Sequence, residues 1–180
     1  ADLASTPSTL TIVEDIKANP ERESMGSTVV ACLVHGARVT LVHVGDSRAY
    51  LLNEDGIRQI TRDHSWVAEQ VANGILTPEE ARKHPFRNVI TQALGNGGDL
   101  DVAVQELEAQ ELDRLLLCSD GLSGMVSDDL IWKIVQESPS LENAVERLVE
   151  KARENGGEDN ITVVIVGFEP EEISCSHENP

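Results

Sequence analysis

Two apolar runs joined by a two-residue turn constrain this chain more than any other feature. Thr28-Val29-Val30-Ala31-Cys32-Leu33-Val34 is nearly unbroken and rich in β-branched residues, and after His35-Gly36 the pattern resumes as Val39-Thr40-Leu41-Val42-His43-Val44. Side chains branched at Cβ fit a pleated surface better than a helix, so the pair predicts a β-hairpin. A third strand is expected over Arg48 to Leu52, a turn at Asn53-Glu54-Asp55-Gly56, and a fourth strand over Ile57 to Ile60. Four strands in a row predict an antiparallel meander.

The middle of the chain changes period. Ser65 is placed to cap a helix carrying Val67, Ala68, Val71 and Ala72. Thr77-Pro78-Glu79-Glu80 then supplies a cap, a Pro at the first helical position and a Glu three residues after the cap. His84-Pro85-Phe86-Arg87 breaks the pattern, which makes residues 65–88 a small helical excursion on or beside the sheet. Further strands are expected over Leu100 to Leu107 and Arg114 to Cys118. Ser127 opens a helix with Leu130, Ile131, Ile134 and Val135 inward. Leu141, Ala144, Val145, Leu148, Val149 and Ala152 fall on one face of another, which Gly156-Gly157 ends. Ile161 to Phe168 reads as the last strand.

Residues 1–24 read as a weakly structured lead-in, with Leu10, Ile12, Val13 and Ile16 available for one short helix before Asn19-Pro20. Residues 25–168 hold the domain, and 169–180 look like an acidic, solvated tail. The chain opens Ala1-Asp2-Leu3 without an initiator Met, as a processing site or a cut end would leave it.

At 180 residues the chain suits one α+β domain. Aromatic residues make up only 3%, so Val, Leu, Ile and Ala must build the core. The formal charge of −18 repels phosphate backbones and anionic lipid surfaces, which argues against nucleic acid and membrane as partners. No window is apolar enough to span a bilayer. Cys32, Cys118 and Cys175 are odd in number and widely spaced, which suits neither a disulfide framework nor a paired zinc site and points to a reducing cytoplasm. Cys118 precedes Ser119-Asp120 inside an apolar strand and reads as a buried small hydrophobe. His64, in Arg62-Asp63-His64-Ser65, stands at the mouth of the excursion, either as a helix-entry contact or as site architecture.

Three aspartates sit beside Gly or a small residue at strand ends: Gly45-Asp46-Ser47, Ser119-Asp120-Gly121 and Gly157-Glu158-Asp159-Asn160. Taken singly, each is ordinary turn chemistry. Brought together, they offer a hard divalent cation the oxygen ligands it prefers.

Their order and spelling go further. Met25-Gly26-Ser27-Thr28, Gly45-Asp46-Ser47-Arg48, Arg87-Asn88-Val89-Ile90-Thr91-Gln92-Ala93-Leu94-Gly95, Leu117-Cys118-Ser119-Asp120-Gly121-Leu122 and Gly157-Glu158-Asp159-Asn160-Ile161-Thr162 follow one another along the chain. The series closely resembles that of type-2C metal-dependent protein phosphatases, especially bacterial ones. The resemblance implies an antiparallel β-sandwich flanked by helices, with two or three Mn2+ or Mg2+ ions at one edge. It implies hydrolysis of protein phosphoserine and phosphothreonine by a metal-bound water, opposing a Ser/Thr kinase in signal transduction. By motif, Asp120 and Asp159 look like ligands of the catalytic ion pair, and Asp46 with Asp120 like the site of a third, weaker ion. The excursion resembles the family's flap, where His84 is placed to touch the substrate protein.

One block of the family pattern has no counterpart here. Neither R-x-x-N-E-D nor D-G-M-G-G-H occurs, so the amino-terminal strands of the fold, with the Asp that bridges the catalytic ions, are missing from this sequence. Two expectations follow. The chain is either the carboxy-terminal majority of a catalytic domain or a pseudophosphatase that acts as a protein-binding regulatory module. An uncovered sheet edge would favour a dimer or strand exchange.

Overall fold

The computed structural model of the chain describes residues 7–23, 25–95 and 100–169, with side chains from Thr11 onward. Helix α1 (Pro7–Ala18) and a single 3-10 turn over Pro20–Arg22 lead into the sheets. The lead-in helix therefore forms, and Asn19-Pro20 ends it. The tail beyond Glu169, with Cys175, lies outside the described residues.

The hairpin forms as its sequence predicts. Strands β1 (Val29–His35) and β2 (Arg38–Val44) pair antiparallel from Val29↔Val44 to His35↔Arg38, and Gly36 takes the positive φ of +59° that the tight turn requires. Strand β3 (Arg48–Asn53) pairs with β4 (Gly56–Gln59), the second expected hairpin. The meander does not form, because β2 and β3 lie in different sheets. The second edge of β2 is taken by β5 (Ala103–Glu108), and that of β3 by β6 (Arg114–Cys118). Both partners come from much later in the chain, and strand periodicity carries no information about such long-range pairing. With β7 (Val163–Gly167) beside β6, the sheets are β1-β2-β5 and β4-β3-β6-β7. Gly45-Asp46-Ser47 is thus a crossing between sheets rather than a hairpin turn.

The two sheets close face to face. Val39 and Leu41 of β2 pack with Ala49 of β3 and with Leu115 and Leu117 of β6, all buried. Burial of each such Leu or Val removes about 1.5–3 kcal/mol of unfavourable hydration. Alternate residues of the same strands point the other way: Tyr50, Leu52, Leu116 and Cys118 meet a helical layer. That layer holds α5 (Asp128–Glu137), which contributes Ile131, Ile134 and Val135, and α6 (Leu141–Glu154), which contributes Ala144, Leu148 and Ala152. Ser140 caps α6 by accepting the Asn143 N–H at 3.2 Å. On the opposite side of the sandwich, Leu33 and Val104 are 72% and 58% exposed.

The excursion contains α2 (Trp66–Ala72) and α3 (Pro78–Lys83). Ser65 caps α2 through its hydroxyl, and Thr77 with Glu80 forms the reciprocal capping box of α3. A short helix, α4 (Asp120–Ser123), was not expected and begins at one of the candidate aspartates.

Candidate metal and phosphate site

Asp46 occupies the crossing between the sheets. Gly45 has φ +106°, and a Cβ there would fall 2.6 Å from Thr28 Cβ, so the crossing requires Gly and seats Thr28 directly against it. Thr28 and Ser47 share a 2.8 Å hydroxyl hydrogen bond across the same junction. The Met25-Gly26-Ser27-Thr28 segment therefore buttresses the Asp46 turn. It is held in turn by a bridge between Ser27 and Leu94, next to Gly95.

Asp120 and Asp159 arrive on two loops stitched together at the ends of β6 and β7. Ser119 N–H donates to Thr162 O at 3.1 Å, its hydroxyl donates to Asn160 O at 2.9 Å, and Thr162 N–H donates back to Ser119 Oγ at 3.0 Å. Gly121 is buried against the same loop. Asp159 Oδ1 accepts the N–H of Asn160 at 2.6 Å, which orients its carboxylate locally.

The three acids act electrostatically as a chain. Burial pushes Asp46 up to about 6, and the Asp120 carboxylate adds to the shift. Burial also raises Asp120, and Asp159 adds to that. Among the described residues, none of the three forms an ion pair with Lys, Arg or His. The adjacent cations are engaged elsewhere. Arg48 grips Asp63 with Nε at 3.0 and 3.1 Å and Nη2 at 2.7 Å, and Arg87 lies 3.5 Å from Glu158. Arg48 still offsets part of the charge on Asp46 and Asp120 from a distance, and carboxylates with no ion-pair partner and only oxygen to offer suit the hard divalent ions that the motif series implies. Among the described residues, no group of three or more His, Cys, Asp or Glu side chains is placed to hold a metal ion.

The contacts of His84 are with its own segment. The residue ends α3, its Nδ1 accepts the Phe86 N–H at 3.1 Å, and its ring lies 4.9 Å from Trp66 and 5.5 Å from Phe86. The excursion nevertheless touches the acidic edge, because Arg87 reaches Glu158, the residue before Asp159. Cys118 is buried and its thiol is pushed up to about 12, so it is inert as a nucleophile at neutral pH.

Arg48, a cation in an acidic chain, pairs with an acid as that setting favours, and the structure supplies the partner that the sequence did not single out, Asp63. Arg48 Nη1 also donates to Tyr50 Oη at 3.0 Å, and that hydroxyl donates to Asp128 at 3.3 Å, so α5 is tied to the site's floor. A lone cation beside an acid turn was the available signal, but its partner lies 15 residues away across a hairpin.

Comparison with known proteins converges on one family. The profile described as protein phosphatase 2C matches residues 9–163. The serine/threonine protein phosphatase PstP of Mycobacterium tuberculosis is 44% identical over 154 residues, which cover 86% of this chain and 30% of that protein. The serine/threonine phosphatase stp of Listeria welshimeri is 39% identical over 155 residues, covering 86% and 62%. The chain thus spans less than two thirds of the length of either. Among solved structures, M. tuberculosis PstP/Ppp superposes with a TM-score of 0.83 at 42% identity, covering 90% of this chain and 68% of that one. A PstP catalytic domain described in complex with two manganese ions gives 0.78 at 40% identity, covering 87% and 65%. With the motif order, the two-sheet architecture and these matches in agreement, the chain belongs to the protein phosphatase 2C family.

Proposed function

We propose that this chain is the carboxy-terminal majority of the catalytic domain of a metal-dependent phosphatase that hydrolyses phosphoserine and phosphothreonine in proteins. The observation that carries the reading is the unpaired carboxylate series Asp46, Asp120 and Asp159, in which Asp120 is the shared neighbour. Asp120 and Asp159 would hold the catalytic Mn2+ or Mg2+, and Asp46 with Asp120 a further, weaker ion. When bound, a pair of such ions supplies an activated water and neutralises charge on phosphorus. The residues of this chain fix the ligands: Ser119 and Thr162 clamp the two acid loops together, and Arg48 is kept out of the cluster by Asp63.

The excursion of residues 65–88 serves as a flap over the substrate protein, with His84 and the exposed Phe86 as its contact surface. The substrates are phosphoproteins made by an opposing Ser/Thr kinase, and the setting is the cytoplasm. Cys32 and Cys118 form no disulfide, as a reducing compartment would leave them. A dimer or strand exchange would form at β7, an edge strand of Val163-Val164-Ile165-Val166-Gly167 with none of the charges that usually protect an edge.

The second reading is a pseudophosphatase module that binds a protein partner. It draws on the carboxylate arrangement, in which no group of three or more His, Cys, Asp or Glu among the described residues is placed to hold a metal ion. Hydrolysis of p-nitrophenyl phosphate by this polypeptide, beside Asp120→Ala and a chelator control, separates the two. Phosphate release that requires both Mn2+ and Asp120 supports the hydrolase. No release, with retained binding of a phosphopeptide, supports the regulatory module.

A further inference from the structure

The backbone that presents Asp46 is held from behind by a histidine outside the carboxylate series. His64 Nδ1 accepts the Gly45 N–H at 3.2 Å, and the His64 N–H donates to the Gly45 carbonyl at 2.9 Å. One residue thus satisfies both backbone polar groups of the Gly that precedes Asp46. His64 is itself anchored, because its carbonyl accepts the Thr91 N–H at 2.8 Å and its ring lies 4.6 Å from that of His43. His43 is buried and its Nε2 is 2.8 Å from the Arg62 carbonyl, to which it can only donate. An amide N–H is always a donor, so Nδ1 of His64 must carry a lone pair and its proton must be on Nε2. Burial and the neighbouring His43 both lower the proton affinity of His64, in keeping with a neutral ring.

With φ +106°, Gly45 gains no restraint from a side chain of its own, and Thr28 packs against its α-carbon. We propose that His64 is a positioning residue: its Nδ1 lone pair fixes the Gly45 peptide and thereby the direction in which the Asp46 carboxylate leaves the crossing. The consequence for metal affinity rests on the reading of Asp46 as a cation ligand; the positioning itself does not.

Two substitutions test the role. Asn carries an acceptor oxygen on Cγ where His carries Nδ1, so His64→Asn keeps the acceptor, whereas His64→Leu removes it at similar bulk. In the metal-free chain, the Gly45 amide of H64L should exchange with solvent about tenfold faster than in the parent, the equivalent of one hydrogen bond. H64N should stay within about threefold of the parent. Mn2+ affinity should fall about tenfold in H64L and recover in H64N, as for other residues that orient metal ligands. A Gly45 amide that exchanges at the parent rate in H64L, or as fast in H64N as in H64L, overturns the proposal. If H64L does not fold, the imidazole 15N spectrum of the parent decides: a proton on Nε2 supports the role and a proton on Nδ1 overturns it. Absence of any Mn2+ binding by the parent refutes the cation reading of Asp46, and the exchange measurement then decides the role of His64 alone.

Discussion

The α-carbon of Gly121 lies so close to Asn160 that a Cβ there would come within 2.9 Å of the Asn160 carbonyl carbon. This contact joins the loop bearing Asp120 to the loop bearing Asp159, and it leaves no room for a side chain. Gly121→Ala must push the loops apart at a buried position, so a loss of about 1–3 kcal/mol is expected, with weakened Mn2+ binding. Urea unfolding and metal titration of the variant check both. Parent-like stability with parent-like metal affinity would show that the two loops are not rigidly coupled.

The raised proton affinity of Asp46 makes the metal-free chain sensitive to pH in a specified direction. Its carboxyl moves from 3.8 to about 6, so between these values the folded chain holds a proton that the unfolded chain has released. The stabilisation from protonated Asp46 is complete below about pH 4 and is lost as pH rises through about 6. Asp120 shifts the same way. Thermal unfolding in chelator should therefore show falling stability across that window, and Asp46→Asn should flatten the dependence. Added Mn2+ should raise the melting temperature more at pH 7.5 than at pH 5, because protons compete for the same carboxylate.

Arg48 and Asp63 form a mostly buried fork, with side chains 24% and 13% exposed. Removal of one partner strands the other. Arg48→Met should cost about 3 kcal/mol, and adding Asp63→Leu should recover much of it. A double-mutant cycle by chemical denaturation measures the coupling. Arg48 also holds Tyr50 and, through it, Asp128 at the start of α5, so the single variant should loosen the helical layer as well.

Much of this architecture is legible in the residues themselves. The β1–β2 hairpin, the β3–β4 hairpin, the capping box at Thr77 and Glu80, and the apolar faces of α5 and α6 all follow from local chemistry acting over a few residues. The partition of the strands into two sheets does not. It depends on β5 and β6, which pair with strands more than fifty residues earlier. The candidate site divides along the same line. Asp46, Asp120 and Asp159 stand out by their motifs, but the supports around them, Asp63 on Arg48 and His64 on Gly45, are made between segments that no local pattern connects. Helix α4 was too short to show a period, and its start at Asp120 was hidden by the turn spelling Ser119-Asp120-Gly121.

In the proposed divalent-cation site Asp120 is the shared carboxylate. Calorimetric titration of Mn2+ into the parent chain and into Asp46→Asn, Asp120→Asn and Asp159→Asn tests it directly. The parent should bind, the Asp46 and Asp159 variants should bind more weakly, and the Asp120 variant should lose the most affinity. Equal affinity in the parent and the Asp120 variant would contradict it.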